Sequence, residues 1–319
     1  MIKTAKTGFL LLVSVVFLSF SGQLASAQNE RDGSSGRSRG PARPVTVPVT
    51  IRVRDPKPEV EMRFVNYLLR EDGEMQTILS MRGPKDSPMS LAILIQDDLV
   101  PSVSNEVRGI AEFIRQLPGG SRVMIGYIRS GSLEVRRKFT NELERAATSL
   151  RVPLGTASAS PFNPYVEIIE GLRRFDSQPL GRRAVIVVSD GLDTSRGFDS
   201  SSPALSIDLQ RAINEAQRRS VAVYSIYVPA ASGISNLLLS ANGQSSLEKL
   251  SNDTGGQAFF QGTGAPVSFK PYLEKIGDSL GRQIALTYLS THTDKGFHRL
   301  DIKPLDRDVE IRHPSGYPR

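Results

Sequence analysis

Hydrophobic and polar residues are spaced in two different ways along this chain. Between residues 89 and 281, short apolar runs take turns with segments whose apolar residues recur every three or four positions. Leu91-Ala-Ile-Leu-Ile95 and Ala184-Val-Ile-Val-Val188 are too short for buried helices and end in polar residues, so they read as strands buried on both faces. Val103, Val107, Ile110, Phe113, Ile114 and Leu117 fall at helical spacing, and Pro118-Gly119-Gly120 stops them. Residues 122–128 predict a strand, and Ser130-Gly131-Ser132 turns it into the alternating residues 133–139, a hairpin on the sheet edge. Helices are expected over 141–150, 164–172, 205–218, 246–252 and 271–280, and strands over 221–228 and 257–261. Repeated strand–helix units predict an α/β fold: a doubly wound, mostly parallel six-stranded sheet with helices on both faces.

Outside that stretch apolar and polar residues alternate one for one. Residues 45–54 alternate except at Pro48, which predicts a half-buried strand near a sheet edge. Residues 64–70 predict a second strand, Glu71-Asp72-Gly73-Glu74 a hairpin turn, and 75–81 the return strand. Alternation resumes over 284–289, 298–303 and 309–312. The expectation is that the N-terminal segment 45–88 and the C-terminal segment 282–319 pair into a small antiparallel β-module beside the α/β domain, 89–281.

The first residues carry a different pattern. Lys3 and Lys6, an apolar segment over 9–20 and the small residues Ala25-Ser-Ala27 are the three parts of a secretory signal. The apolar segment is shorter than the roughly 20 residues a spanning helix needs, so cleavage after Ala27 is expected, leaving no transmembrane anchor. Residues 28–44, rich in Gly, Ser, Arg and Pro, predict a disordered linker. The mature chain is expected to be secreted or periplasmic. It has no cysteine, hence no disulfide and no cysteine-linked lipid. A net charge of +7 is spread along the chain without a basic, aromatic-interleaved tract, which argues against nucleic acid as a partner.

Chemistry is concentrated at strand ends. Asp97-Asp98 and Asp190 each stand where a predicted core strand stops, the place where open α/β sheets keep ligand sites. They form a candidate cation site; equally, Asp97-Asp98 suits a helix cap and Asp190-Gly191 a turn. Asp193, Asp199 and the serines at 200–202 either rim that site or form a solvated loop. The segment 229–244, with Leu237-Leu238-Leu239, is a long connection carrying an apolar patch or one more helical turn. His292, His298 and His313 show no H-E-x-x-H spacing. There is no cysteine nucleophile, no G-x-S-x-G elbow between a strand and a helix, and no P-loop.

The order of elements, the aspartate after the first core strand, Gly155-Thr156 before the third helix and Ser189-Asp190-Gly191 after the fourth strand resemble a von Willebrand factor A (VWA) domain. The likeness runs over 45–317, and in particular the chain looks like secreted bacterial proteins with such a domain between short β segments; Arg312-His-Pro-Ser-Gly-Tyr317 is similar to their ending. The resemblance implies a divalent ion, Mg²⁺ or Mn²⁺, held by a D-x-S-x-S run, a threonine and a distant aspartate. One coordination position would be left for a partner protein's carboxylate. Thr156 and Asp190 match the last two elements. Counted from Asp97, the serine positions fall on Leu99 and Pro101; counted from Asp98, on Val100 and Ser102. The implied donors are therefore Asp98, Ser102, Thr156 and Asp190, with Asp97 in the other register, and cation dependence is expected to be weakened or absent. The resemblance implies a non-enzymatic module for protein–protein interaction or adhesion. The alternative is an envelope hydrolase using the sheet-edge carboxylates.

Overall fold

The computed structural model describes residues 41–53, 67–198, 201–231 and 236–319. The expected signal 1–27, most of the linker 28–44, residues 64–66, Asp199 and Ser200 lie outside the described residues. Strand β1 spans Arg43–Val53, so Arg43 and Pro44, assigned above to the linker, already belong to a sheet. Strands β2 (Tyr67–Glu71) and β3 (Glu74–Met75) follow, joined through Asp72 and Gly73 at φ 51° and 88°, the left-handed pair that tight hairpins require. Then come β4 (Thr77–Arg82), β5 (Ser90–Gln96), a 3-10 turn over Pro101–Glu106 and helix α1 (Val107–Arg115). The hairpin β6 (Arg122–Arg129) and β7 (Ser132–Thr140) leads to α2 (Leu143–Thr148) and α3 (Pro164–Arg173). Alternation of strand and helix continues through β8 (Arg183–Ser189), α4 (Ile207–Arg218), β9 (Ala222–Tyr227), α5 (Leu237–Asp253), β10 (Ala258–Phe259) and α6 (Lys270–Gly281). Four strands close the chain: β11 (Gln283–Ser290), β12 (Phe297–Pro304), β13 (Val309–Arg312) and β14 (Gly316–Pro318).

The central sheet has six strands in the order β10-β9-β8-β5-β6-β7, parallel except for the β6–β7 hairpin at its edge. Its two faces explain the unbroken apolar runs. Leu91, Ile93 and Ile95 of β5, with Ile186 and Val188 of β8, meet Ile110 and Ile114 of α1 and Leu273 and Ile276 of α6. Ala92, Leu94, Val185 and Val187 point the other way, onto Ile168 and Leu172 of α3, Leu209 and Ile213 of α4 and Leu250 of α5. A strand covered on both faces has no position for a polar side chain until it reaches the sheet's end.

The flanking segments build two sheets where the sequence predicts one small module. Their orders are β13-β1-β11-β4 and β14-β12-β2-β3. The predicted strand 75–81 is cut in two at Gln76: β3 pairs with β2, whereas β4 pairs with β11. Gln76 is buried at the crossing and binds Thr291 through its amide, Oε1 accepting from the Thr291 N–H at 3.1 Å. β1 is not an edge strand, and residues 47–51 are buried on both faces. Pro48 is tolerated because it pairs only with β11, while β13 lies beside Thr50–Val53; its missing N–H interrupts no ladder on the other side. The β sheets are fastened to the α/β unit by Arg182, whose guanidinium donates to the carbonyls of Gln283, Ser87 and Leu280. Burial pulls its pKa down to about 10.

Candidate functional site

Three strands end side by side: β5 at Gln96, β8 at Ser189 and β9 at Tyr227. The loop after β9 is zipped to the loop after β5. Val100 N donates to Pro229 O at 3.1 Å, Ala231 N to Asp98 O at 2.6 Å, and Leu99 bridges Ala230. Leu99 sinks into the apolar core and Val100 packs against it. The chain turns at Asp97 and Asp98, directly after β5, and the two side chains take different partners.

Asp97, fully buried, is gripped by Arg151, with Nη1 to Oδ1 at 2.6 Å and Nη2 to Oδ2 at 2.9 Å. Arg129 adds a contact at 3.3 Å and the Leu154 N–H another at 3.0 Å. Arg151 also reaches Glu134 at 2.9 Å and stacks 3.9 Å from the Tyr127 ring centre. Hydrogen bonding to Asp97 foremost, and then to Glu134, raises the guanidinium's pKa against burial. Asp97 is thus the anchor of a structural ion network. Neither Asp97 nor Asp98 caps a helix: the following 3-10 turn starts from Val100 and α1 from Glu106, both without a side-chain cap bond.

Asp98 turns toward β8. Its Oδ1 accepts from Gln96 Nε2 at 2.8 Å; its Oδ2 is buried and has no hydrogen-bond partner. The same Gln96 amide accepts, through Oε1, from Ser189 Oγ at 2.5 Å and from Asp190 N at 3.2 Å. Gln96 therefore sits between the two carboxylates, a role that reading the sequence for acidic residues alone misses. Its position as the last residue of a fully buried strand was the available signal. Counted from Gln96, the serine positions of D-x-S-x-S fall on Asp98 and Val100, a register distinct from the two weighed above.

Asp190 is partly exposed and its Oδ1 accepts from Leu192 N at 3.0 Å. Burial pushes the carboxyl up to about 7; the Leu192 N–H pulls it down, and the charge of Asp98 pushes it up again. The turn it opens is fixed from two sides. Tyr165 of α3 donates to Gly191 O at 2.6 Å, and α5 crosses so closely that a Cβ on Gly243 would lie 2.1 Å from Asp190 O. Asp193 is no solvated rim residue: it is buried, accepting from Ser206 Oγ and Ser195 Oγ, both at 2.6 Å.

The remaining predicted donors are placed differently. Ser102 is exposed on the 3-10 turn. Thr156 is exposed in the loop after α2, its hydroxyl 3.1 Å from Ser158 Oγ, and the loop is tied to β5 by Gly155 N donating to Asp97 O at 2.9 Å. Among the described residues no group of three His, Asp or Glu side chains is arranged to hold a metal ion. A hard dication wants near-octahedral oxygen donors. Here the centre of the site is an amide that aims an N–H at Asp98, and Val100 supplies only methyl groups. The residues present do not fit Mg²⁺ or Mn²⁺.

Asp190 lines a cleft of about 400 Å³ together with Val100, Phe162, Leu192, Phe198, Tyr227 and Leu239. Phe162 and Phe198 remain 71% and 52% exposed. Leu237 and Leu238 occupy the first turn of α5, so the predicted apolar patch and the predicted extra helical turn are the same feature, 72% and 66% exposed. Among the described residues no helix is long and apolar enough to cross a membrane.

No family model and no curated protein matches this chain. Solved structures similar to it include an aerotolerance-related membrane protein from Bacteroides fragilis (11% identity, 60% of this chain and 98% of that one, TM-score 0.42). Another is BatB from Bacteroides thetaiotaomicron (12%, 60% and 97%, 0.42). A third is a von Willebrand factor type A protein from Catenulispora acidiphila (11%, 88% and 74%, 0.42). At these identities and TM-scores, what those proteins do does not transfer to this chain.

Proposed function

We propose that this chain is a VWA-type protein-interaction module of the cell envelope or its exterior, non-enzymatic, which takes its partner at the carboxyl edge of the central sheet without a divalent cation. The observation that carries the reading is the cleft around Asp190. Monomeric proteins rarely leave large apolar side chains grouped in the open, and here two phenylalanines more than half exposed share a cleft with Asp190. The apolar side chains supply area and the carboxylate supplies selectivity, the division of labour usual at protein interfaces. A hydrolase reading needs an acid and a base open to substrate, whereas Asp98 is sealed and Asp97 is spent on arginines.

Two measurements test this. Titration calorimetry of the purified protein with MgCl₂ and MnCl₂ is expected to give no binding heat; heat that disappears in Asp190→Ala overturns cation independence. A photo-crosslinking residue at position 162 is expected to capture a protein partner in intact cells, while the same residue at exposed Leu79, on β4, does not. Equal capture from both positions removes the cleft from consideration, and turnover of an envelope polymer by the purified protein overturns the non-enzymatic reading.

A further inference from the structure

The cations near this sheet edge are distributed unevenly. Arg129 and Arg151 converge on Asp97 and Glu134. Among the described residues, no lysine, arginine or histidine lies within 4.0 Å of Asp98 or Asp190. Asp98 is fully buried with one oxygen lacking any donor, and Asp190 meets only neutral donors, the Leu192 N–H on its Oδ1 and the Gln96 amide. Buried carboxylates are ordinarily paired or bound to metal. The donor set does not suit a hard dication, so the negative field at the cleft has no counter-charge within the described chain.

We propose that the cleft takes a cationic side chain, lysine or arginine, projecting from the partner protein, with its head on Asp190 and its stem along the apolar wall. This rests on the cleft being the interaction surface. The selectivity is the reverse of the one the family resemblance implies: a site that would have gripped a partner's carboxylate through a metal now attracts positive charge directly. The geometry suits the ligand. Phe162, Leu192, Phe198 and Leu239 can cover the methylene stem of a long cationic side chain, which buries its carbons while its charge seeks a polar contact. Asp98, buried, contributes charge without touching the ligand.

The test is selection from a random peptide library on the full-length protein in EDTA, followed by anisotropy with the best peptides in labelled form. Selected peptides are expected to be enriched in Lys or Arg flanked by apolar residues. They should lose at least tenfold in affinity when that residue becomes Gln, and similarly against Asp190→Asn, an isosteric change whose folding is checked by thermal unfolding. Peptides enriched in Asp or Glu, or binding only with Mg²⁺, overturn the inference. Binding that is abolished by Phe162→Ser with Phe198→Ser but indifferent to Asp190→Asn overturns it while leaving the cleft as the interaction surface. Peptides indifferent to the phenylalanine changes overturn both.

Discussion

Asp97 and Asp98 are neighbours in the chain, equally buried, and solved in opposite ways. Asp97 draws two arginines and a backbone N–H, and removing Arg151 takes away its bidentate partner, leaving a fully buried charge to Arg129 and the Leu154 N–H. Arg151→Met is expected to cost about 3–5 kcal/mol in urea unfolding, and adding Asp97→Asn should recover part of it. Asp190 behaves in the reverse sense. Its folded pKa, about 7, lies above the ordinary 3.8, so the carboxyl is comfortable protonated and destabilising when ionised. Its favourable contribution is complete below about pH 4 and is lost as pH rises through about 7. Asp190→Asn is therefore expected to raise the stability measured by urea unfolding at pH 8, by on the order of a few kcal/mol, and to leave it nearly unchanged at pH 4. An equal effect at both pH values would show that charge is not the cause. Reading acidic residues as the chemistry of the site drew attention to Asp98 and Asp190 and passed over Gln96, which hydrogen-bonds between them, because a neutral amide announces nothing until its neighbours in space are known.

At the scale of elements, legibility followed burial. β5 and β8 could be read because a strand covered on both faces has one composition available to it. The break at Gln76 could not, since alternation runs on unchanged while the chain passes from one sheet to the other; the partner that fixes the crossing, Thr291, is distant in sequence. The closing strand β14, Gly-Tyr-Pro, carries no periodicity at all. Close approach of α5 to the β8 turn makes Gly243→Ala a severe change, expected to cost about 2 kcal/mol or more by thermal unfolding, because Asp190 O must be displaced. Gly109→Ala in α1, where an added Cβ meets nothing within 4 Å, is expected to stabilise by about 0.5–1 kcal/mol. The β2–β3 turn is latched to β12 by Asp72, which accepts from Arg299 N at 2.8 Å and lies 2.8 Å from His298 Nδ1. Burial opposes ionisation of both groups, but the mutual contact prevails, raising His298 above 6.5 and lowering Asp72 below 3.8. The latch is thus lost as pH rises through the histidine's raised pKa and again as it falls through the aspartate's lowered one. Asp72→Asn is expected to flatten stability between pH 6 and 8 at a cost on the order of 1 kcal/mol, Asp72 being partly open to water.

For the whole molecule, the two flanking sheets and the α/β unit are joined by specific polar contacts as well as by packing. Arg182 holds the start of β11, Ser220 donates to the Thr46 carbonyl, and Gln217 reaches both Asp253 O and Ser315 Oγ. None of these fastening residues lines the cleft around Asp190, so substitutions in the proposed interaction surface are expected to leave the joining of the three sheets intact.

β1 is the first described strand, yet its neighbours are β11 and β13; Thr46 touches Thr287 across 241 positions. During synthesis this strand leaves the ribosome with its ladder bare and waits while the entire α/β unit is made. A nascent chain in that state offers an unprotected template for other extended segments, and long-range pairing is slow to close once it begins. Such a chain is expected to gain more from a holding chaperone than one whose strands pair as they emerge.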